Sequence, residues 1–180
     1  YNSPNVPRGL PFLVASNTST LTVPAGMTIT DINASVYMTH TYVGDASIRL
    51  THQPSGRSAM LIDRPGVPAS TFGCPNDDIN AVLDDQASLD AETRCAQTKP
   101  TINGTFRPNN PLAVFNNLNA GGTWVLTVTD ADPGSDFGTL INWGLQICGS
   151  SVGGAGKPMD GQVDEPFYYN IPVIDPWPVE

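Results

Sequence analysis

Basic residues are scarce. The 180-residue chain carries 8 Lys and Arg against 17 Asp and Glu, a formal net charge of −9. No stretch clusters Lys or Arg as phosphate recognition requires, which argues against a nucleic-acid partner. The same shortage disfavours docking on anionic lipid. Long apolar runs are missing as well, and nothing approaches the roughly 20 residues of a membrane span. Histidine is limited to His40 and His52. Two histidines do not build a typical three-ligand catalytic zinc site without carboxylates, and no His-Glu-x-x-His motif occurs. A Ser-His-acid reading also fails, because no serine sits in a nucleophile-type glycine context with a matching acid. Gly56-Arg57-Ser58-Ala59-Met60 is superficially of that kind but reads better as a hairpin turn entering a strand. No catalytic role is expected of this chain. It opens Tyr1-Asn2-Ser3-Pro4, without an initiator Met or a signal-peptide pattern, as expected of a processed or excised form.

What is present is a β rhythm punctuated by 17 Gly and 17 Pro, and no long helical period survives that spacing. Thr20–Val23 alternates. Thr28–His40 is a long alternating run with Ile32, Ala34, Val36, Met38 and His40 on one face. Ser47–His52 turns Ile48 and Leu50 inward, and Ala59–Asp63 follows the turn Pro54-Ser55-Gly56. The polar segment 63–101 is predicted to carry a short strand near Ala81-Val82-Leu83, since a structureless loop of that length is unusual. Strands resume near Gly104-Thr105-Phe106. Thr123–Asp130 places Trp124, Leu126 and Val128 on one face, and Thr139–Cys148 places Ile141, Trp143, Leu145 and Ile147 on one face. About eight short strands predict an all-β sandwich, a jelly roll first. The expected layout is an N-terminal extension over 1–19, the domain over 20–149, a Gly/Ser-rich linker over 150–157 and an acidic Pro/aromatic tail over 158–180. Trp124 and Trp143 read as core. In the tail, Phe167, Tyr168, Tyr169 and Trp177 read either as a segment that docks on a groove or as a linker.

Several motifs, in order, carry a family likeness. His40-Thr41-Tyr42-Val43-Gly44-Asp45, then Ile48-x-Leu50 and Pro54-Ser55-Gly56, resembles the P domain (Homo B domain) of proprotein convertases. Leu83-Asp84-Asp85-Gln86-Ala87 is similar to an acidic element of bacterial members, with Gln86 in place of an acid. Gly104-Thr105-Phe106-Arg107-Pro108 with Leu112-x-x-Phe115 resembles the next stretch. Gly122-Thr123-Trp124-x-Leu126-x-Val128-x-Asp130 with Asp136-x-Gly138-Thr139-Leu140-x-x-Trp143-x-Leu145 resembles the closing hairpin. The resemblance implies an eight-stranded jelly-roll β-sandwich of galactose-binding-like type. It implies a non-catalytic module beside a secreted subtilisin-like serine peptidase, sometimes a metallopeptidase, whose peptidase domain it stabilises. The peptidase domain of the parent protein and its protein substrate are the expected partners, and a secreted monomer the expected form. The alternative is an independent module binding carbohydrate or a protein polymer, with Tyr37, Tyr42 and Phe137 as its candidate aromatics. A third reading is a standalone inhibitor or chaperone of a protease, using the tail as an arm.

Acids supply the chemistry that remains. Residues 77–92 hold six, 130–136 three and 158–180 five, making 14 of the 17. Asp130, Asp132 and Asp136 crowd one hairpin turn, and a jelly roll brings Asp45 to the same end. Either these four hold calcium, which wants clustered oxygen ligands, or Asp130 and Asp136 cap turns through backbone N–H groups. Asp77 and Asp78 with Asp84 and Asp85 are a second calcium candidate, near Asp90, against a merely solvated loop. Three cysteines remain. A Cys74–Cys95 disulfide would close a 22-residue ring around the irregular loop and fits a secreted protein. Three pairings are open, and Cys148 is either buried and inert or bonded elsewhere in a parent protein. Asn17, Asn33 and Asn103 begin sequon-type triplets, which arise often by chance.

Overall fold

The computed structural model describes residues 1–11, 13 and 15–151. Alternating apolar residues between Gly- and Pro-containing turns give nine strands in the described chain: β1 (Arg8–Leu10), β2 (Ser16–Val23), β3 (Met27–His40), β4 (Ala46–His52), β5 (Arg57–Asp63), β6 (Ile79–Leu83), β7 (Ile102–Phe106), β8 (Gly122–Asp130) and β9 (Gly138–Ser151). They form an all-β sandwich. One sheet has the order β1-β9-β3-β6-β7, the other β2-β8-β4-β5. All pairings are antiparallel except β6 with β7, which run parallel from Ile79↔Ile102 to Leu83↔Phe106.

Period-two patterning decides the core. Ile32, Ala34, Val36 and Met38 of β3 face Ile48 and Leu50 of β4 and Leu126 and Val128 of β8 within one buried cluster. Trp124 and Trp143 are both fully buried there. Each indole N–H finds an acceptor, Trp124 at the Ala120 carbonyl (2.9 Å) and Trp143 at Ser19 Oγ (2.6 Å). The Phe115 ring meets Trp124 edge-on at 5.0 Å, a geometry aromatic pairs favour.

Two departures from simple alternation have local causes. The β3–β9 register shifts between Tyr37 and Met38, so that Tyr37 opposes Asn142 while Met38 opposes Leu140. Ile141 is the extra residue. Leu140 takes the buried position and Ile141 is only half-buried, which corrects the expectation that Ile141 shares the face of Trp143. A bulge flips the side chains beyond it to the opposite face. Near the amino end, residues 1–19 supply β1 and the first part of β2 rather than a separate extension. Leu10 is fully buried, Asn2 pairs with Gly144, and Ser3 Oγ lies 2.8 Å from Ser19 Oγ. The strand near residues 81–83 is present as β6. The tail aromatics Phe167, Tyr168, Tyr169 and Trp177, and the linker after Ser151, lie outside the described residues.

Candidate functional site

One end of the sandwich gathers four chain segments: the β3–β4 turn, the long connection after β5, the start of β6 and the β8–β9 turn. Backbone hydrogen bonds tie them together. Thr41 N–H donates to Phe137 O, Val43 to Asn76 O, Gly44 to Cys74 O, and Ala131 to Asp45 O. Gly44 and Gly73 cross here. A Cβ on either would run into the backbone of the other segment, so the absence of side chains is what lets the two segments approach.

His40 anchors this end. Its Nδ1 accepts the Tyr42 N–H at 3.2 Å, so the ring proton of the neutral tautomer resides on Nε2. That Nε2 lies 3.4 Å from Oδ2 of Asp130, both side chains essentially without solvent exposure. The contact is electrostatic and poorly aligned, since neither atom makes a hydrogen bond of good geometry. Asp130 Oδ1 accepts the Asp132 N–H at 2.9 Å, the turn-capping role open to a short acid. His40 N–H in turn donates to Asp78 Oδ1 at 3.0 Å. His40 therefore links two acidic segments that are far apart in sequence.

Of the first four calcium candidates, Asp45 lies within reach of the Asp130 and Asp136 charges at this end. Asp45 is pushed above the usual carboxylate range chiefly by burial. The Asp136 and Asp130 charges add to this, and Arg64 opposes it. Arg64 Nη2 reaches Asp45 Oδ1 at 3.1 Å, and Asp136 accepts the Thr41 hydroxyl at 2.8 Å. Asp132 is exposed and contributes its carbonyl to the turn, accepting from Ser135 and Asp136. Among the described residues, no three His, Cys, Asp or Glu side chains stand close enough to ligate one ion as they are. The protein's own Arg64 and His40 occupy the carboxylates instead.

The second set is divided. Asp77 and Asp78 precede β6 while Asp84 and Asp85 follow it, so a five-residue strand of roughly 17 Å separates them. Asp85 accepts the Leu112 and Ala113 N–H groups at 2.8 and 2.7 Å, and Asp84 Oδ1 accepts the Gln86 N–H. These two fasten turns. Asp90 pairs with Arg107 at 2.8 Å, and that contact holds its carboxyl below the usual range. Cys74 and Cys95 are joined in a disulfide. Cys148 is a free, half-buried thiol, raised by burial and by the Asp31 charge.

Beside this acidic end lies a pocket of about 260 Å³, walled by His40, Thr41, Asp77, Asp78, Lys99 and Phe137 among others. Lys99 Nζ is 3.4 Å from Asp77 Oδ2 and 3.2 Å from Asp78 Oδ2. The cationic partners, Arg64 and Lys99, escape sequence reasoning because each stands about twenty residues from its acid, Arg64 beyond β4 and β5 and Lys99 beyond β6. Of the three candidate aromatics, Tyr37 and Tyr42 are half-buried and Phe137 is 57% exposed. His52 is buried, with its ring against Trp124 at 4.5 Å. Its Nε2 faces the Gly121 carbonyl and its Nδ1 faces Ser55 Oγ, an arrangement that closes the β4–β5 turn.

A family model described as the proprotein convertase P-domain matches residues 29–147. A search of curated proteins found no match. Among solved structures, the chain is similar to an Aeromonas sobria serine protease in complex with its chaperone. That likeness has 19% identity and a TM-score of 0.47, and covers 79% of this chain and 24% of that one. A second structure of the Aeromonas sobria serine protease gives 18% identity and a TM-score of 0.45, covering 76% and 23%. This chain spans about a quarter of the length of those proteins.

Proposed function

The chain belongs to the proprotein convertase P-domain family, and from that membership we propose that it is the non-catalytic accessory domain of a secreted subtilisin-like serine peptidase. The observation that carries this reading is the family match over 29–147, which spans all of β4–β8 and most of β3 and β9. Two sheets closed over one apolar core form a rigid body. Its action is thermodynamic: contacts made only with the folded peptidase domain shift that domain's folding equilibrium toward the native state. The Cys74–Cys95 disulfide supports an extracellular setting, where such bonds persist.

Calcium belongs to this reading at Asp45, Asp130 and Asp136. What supports it is the buried Oδ2 of Asp130, which lacks a hydrogen bond, and Asp45, raised chiefly by burial with the Asp136 and Asp130 charges adding to it. Binding requires Asp45 to leave Arg64. Thermal melts in excess calcium and in chelator test this, with a higher Tm expected in calcium; superimposable curves remove calcium from the reading.

For the accessory role, the parent protein is compared with a form ending before Tyr1, reading secreted yield and the rate of thermal inactivation. The shortened form is expected to lose most of its yield and to inactivate faster. Equal yield and equal half-life would sink the proposal, as would a parent that encodes no peptidase.

A further inference from the structure

We propose that the pocket beside His40 and Phe137 is a receptor for an arginine side chain presented by a protein partner. Under the function proposed above, on which the identity of the partner rests, that partner is the peptidase domain.

Three independent features point to a cationic occupant. The first is shape: a pocket of about 260 Å³ opens where β3 ends and β9 begins. The second is charge. Asp77 and Asp78 both face it, with the Asp77 side chain 41% exposed and therefore able to meet a ligand, while Asp78 is 8% exposed. The protein has already placed a cation there, the ammonium of Lys99, itself 59% exposed. One ammonium against two carboxylates leaves a net negative site, and Lys99 acts as an intramolecular stand-in for the group that belongs there.

The third feature is Phe137. It is 57% exposed on the pocket wall, although a phenyl ring in water is unfavourable by its apolar area. A planar guanidinium stacks on an aromatic face and forks to a carboxylate at once, whereas an ammonium does the second only. Phe137 and Asp77 on one pocket therefore select arginine. The Phe137 backbone is tied to Thr41: its N–H bonds to Thr41 Oγ1 at 3.2 Å, and its O accepts the Thr41 N–H at 3.1 Å.

The test uses acetyl-Leu-Arg-Leu-amide as the probe and its citrulline counterpart, which keeps shape but loses charge. Backbone-amide NMR of the chain is expected to show saturable shifts confined to Thr41, Lys99, Phe137, Gly138 and Thr139 with the arginine peptide. The citrulline peptide is expected to bind about tenfold more weakly. Asp77→Asn is expected to weaken binding about tenfold and Phe137→Ala about fivefold. Lys99→Met carries the opposite sign: with the internal competitor gone, binding tightens about fivefold. All three positions are exposed or half-exposed, and the unbound spectra report whether each variant keeps the fold. No saturable shifts, equal binding of both peptides, or Lys99→Met binding no more tightly overturns the proposal. Capture of the peptidase domain separates this site from the functional reading. Peptidase held equally by wild type, Asp77→Asn and Phe137→Ala overturns the pocket and leaves the accessory role standing. Arginine-peptide binding without any capture of the peptidase supports the pocket and removes the accessory role.

Discussion

His40 Nε2 lies 3.4 Å from Asp130 Oδ2, with both side chains buried at the end of the sandwich where β3 and β8 finish. The imidazole faces a carboxylate on one side and accepts a backbone N–H on the other. Removing the carboxylate leaves the buried His40 Nε2 and the Asp132 N–H without their acceptor. Asp130→Ala is expected to cost about 3 kcal/mol of stability, because one member of a buried pair is lost and the other stays. Asp130→Asn keeps an acceptor for the Asp132 N–H and is expected to cost about 1 kcal/mol. Urea unfolding of the two variants beside wild type measures both. Equal losses would show that the carboxylate facing His40, which neither variant keeps, carries the effect, and that the Asp132 contact, which Asp130→Asn keeps, does not.

The disulfide restrains the one long connection. Cys74 and Cys95 stand 21 residues apart in sequence, and opening that ring returns about 3 kcal/mol of chain entropy to the unfolded state. Replacing both by serine is expected to lower Tm by roughly 10 °C for a chain of this size. Differential scanning calorimetry under non-reducing conditions reads the shift, and an unchanged Tm would assign the loop's order to its hydrogen bonds alone.

Glu92 gives a pH signature. Burial pushes its carboxyl above the usual range, the nearby Asp63 charge adds to this, and the Asp63 N–H bond opposes it. A carboxyl raised in the folded state takes up its proton before the unfolded chain does. Its contribution to stability is therefore greatest below the unfolded pKa and is lost as pH rises through the folded one. Glu92→Gln keeps an oxygen for the Asp63 N–H and removes the charge. The variant is expected to be more stable than wild type at pH 7, with the difference disappearing as pH falls to about 4. Melting curves across that range decide it; a difference that stays constant with pH would rule out a titrating Glu92 as its source.

Two glycines separate crowding from conformation. At Gly44 an added Cβ meets the backbone of Phe72, Gly73 and Cys74, whereas at Gly56, with φ +69°, it meets nothing within 4 Å. Gly44→Ala is expected to cost at least about 2 kcal/mol, because two backbone segments must part. Gly56→Ala is expected to cost about 1 kcal/mol for the left-handed backbone alone. Denaturant midpoints of the two variants give the comparison, and equal costs would refute the crossing of segments as the reason for Gly44.

The strands were legible wherever one face alternates cleanly. Trp124, Leu126 and Val128 read as core and are core, because period two ties burial directly to sequence position. Ile141 misled because a bulge has no compositional signal, and it forms only when β9 must fit the register of β3. Residues 1–19 were similarly opaque: Tyr1–Ser3 and β1 are held by partners more than 120 residues away on β9. In the candidate site, placing hairpin ends together set Asp45, Asp130, Asp132 and Asp136 at one end; of these, Asp45 feels the Asp136 and Asp130 charges, while Asp132 is exposed. Arg64 and Lys99 did not follow from the sequence, since they sit in two separate connections, just after β5 and just before β7, that have no periodicity to read. Nor did the separation of Asp77 and Asp78 from Asp84 and Asp85, which depends on β6 running extended between them.

β9 runs as one strand from Gly138, on the pocket wall, to Ser151, and β3 pairs with it along nearly that whole length. Fourteen residues of strand measure roughly 40 Å. The pair runs through the middle of its sheet, with register shifts between Ile29 and Asp31 and between Tyr37 and Met38. Pairing from Met27↔Ser151 to His40↔Gly138 ties the pocket end of the sheet to its far end through a single ladder.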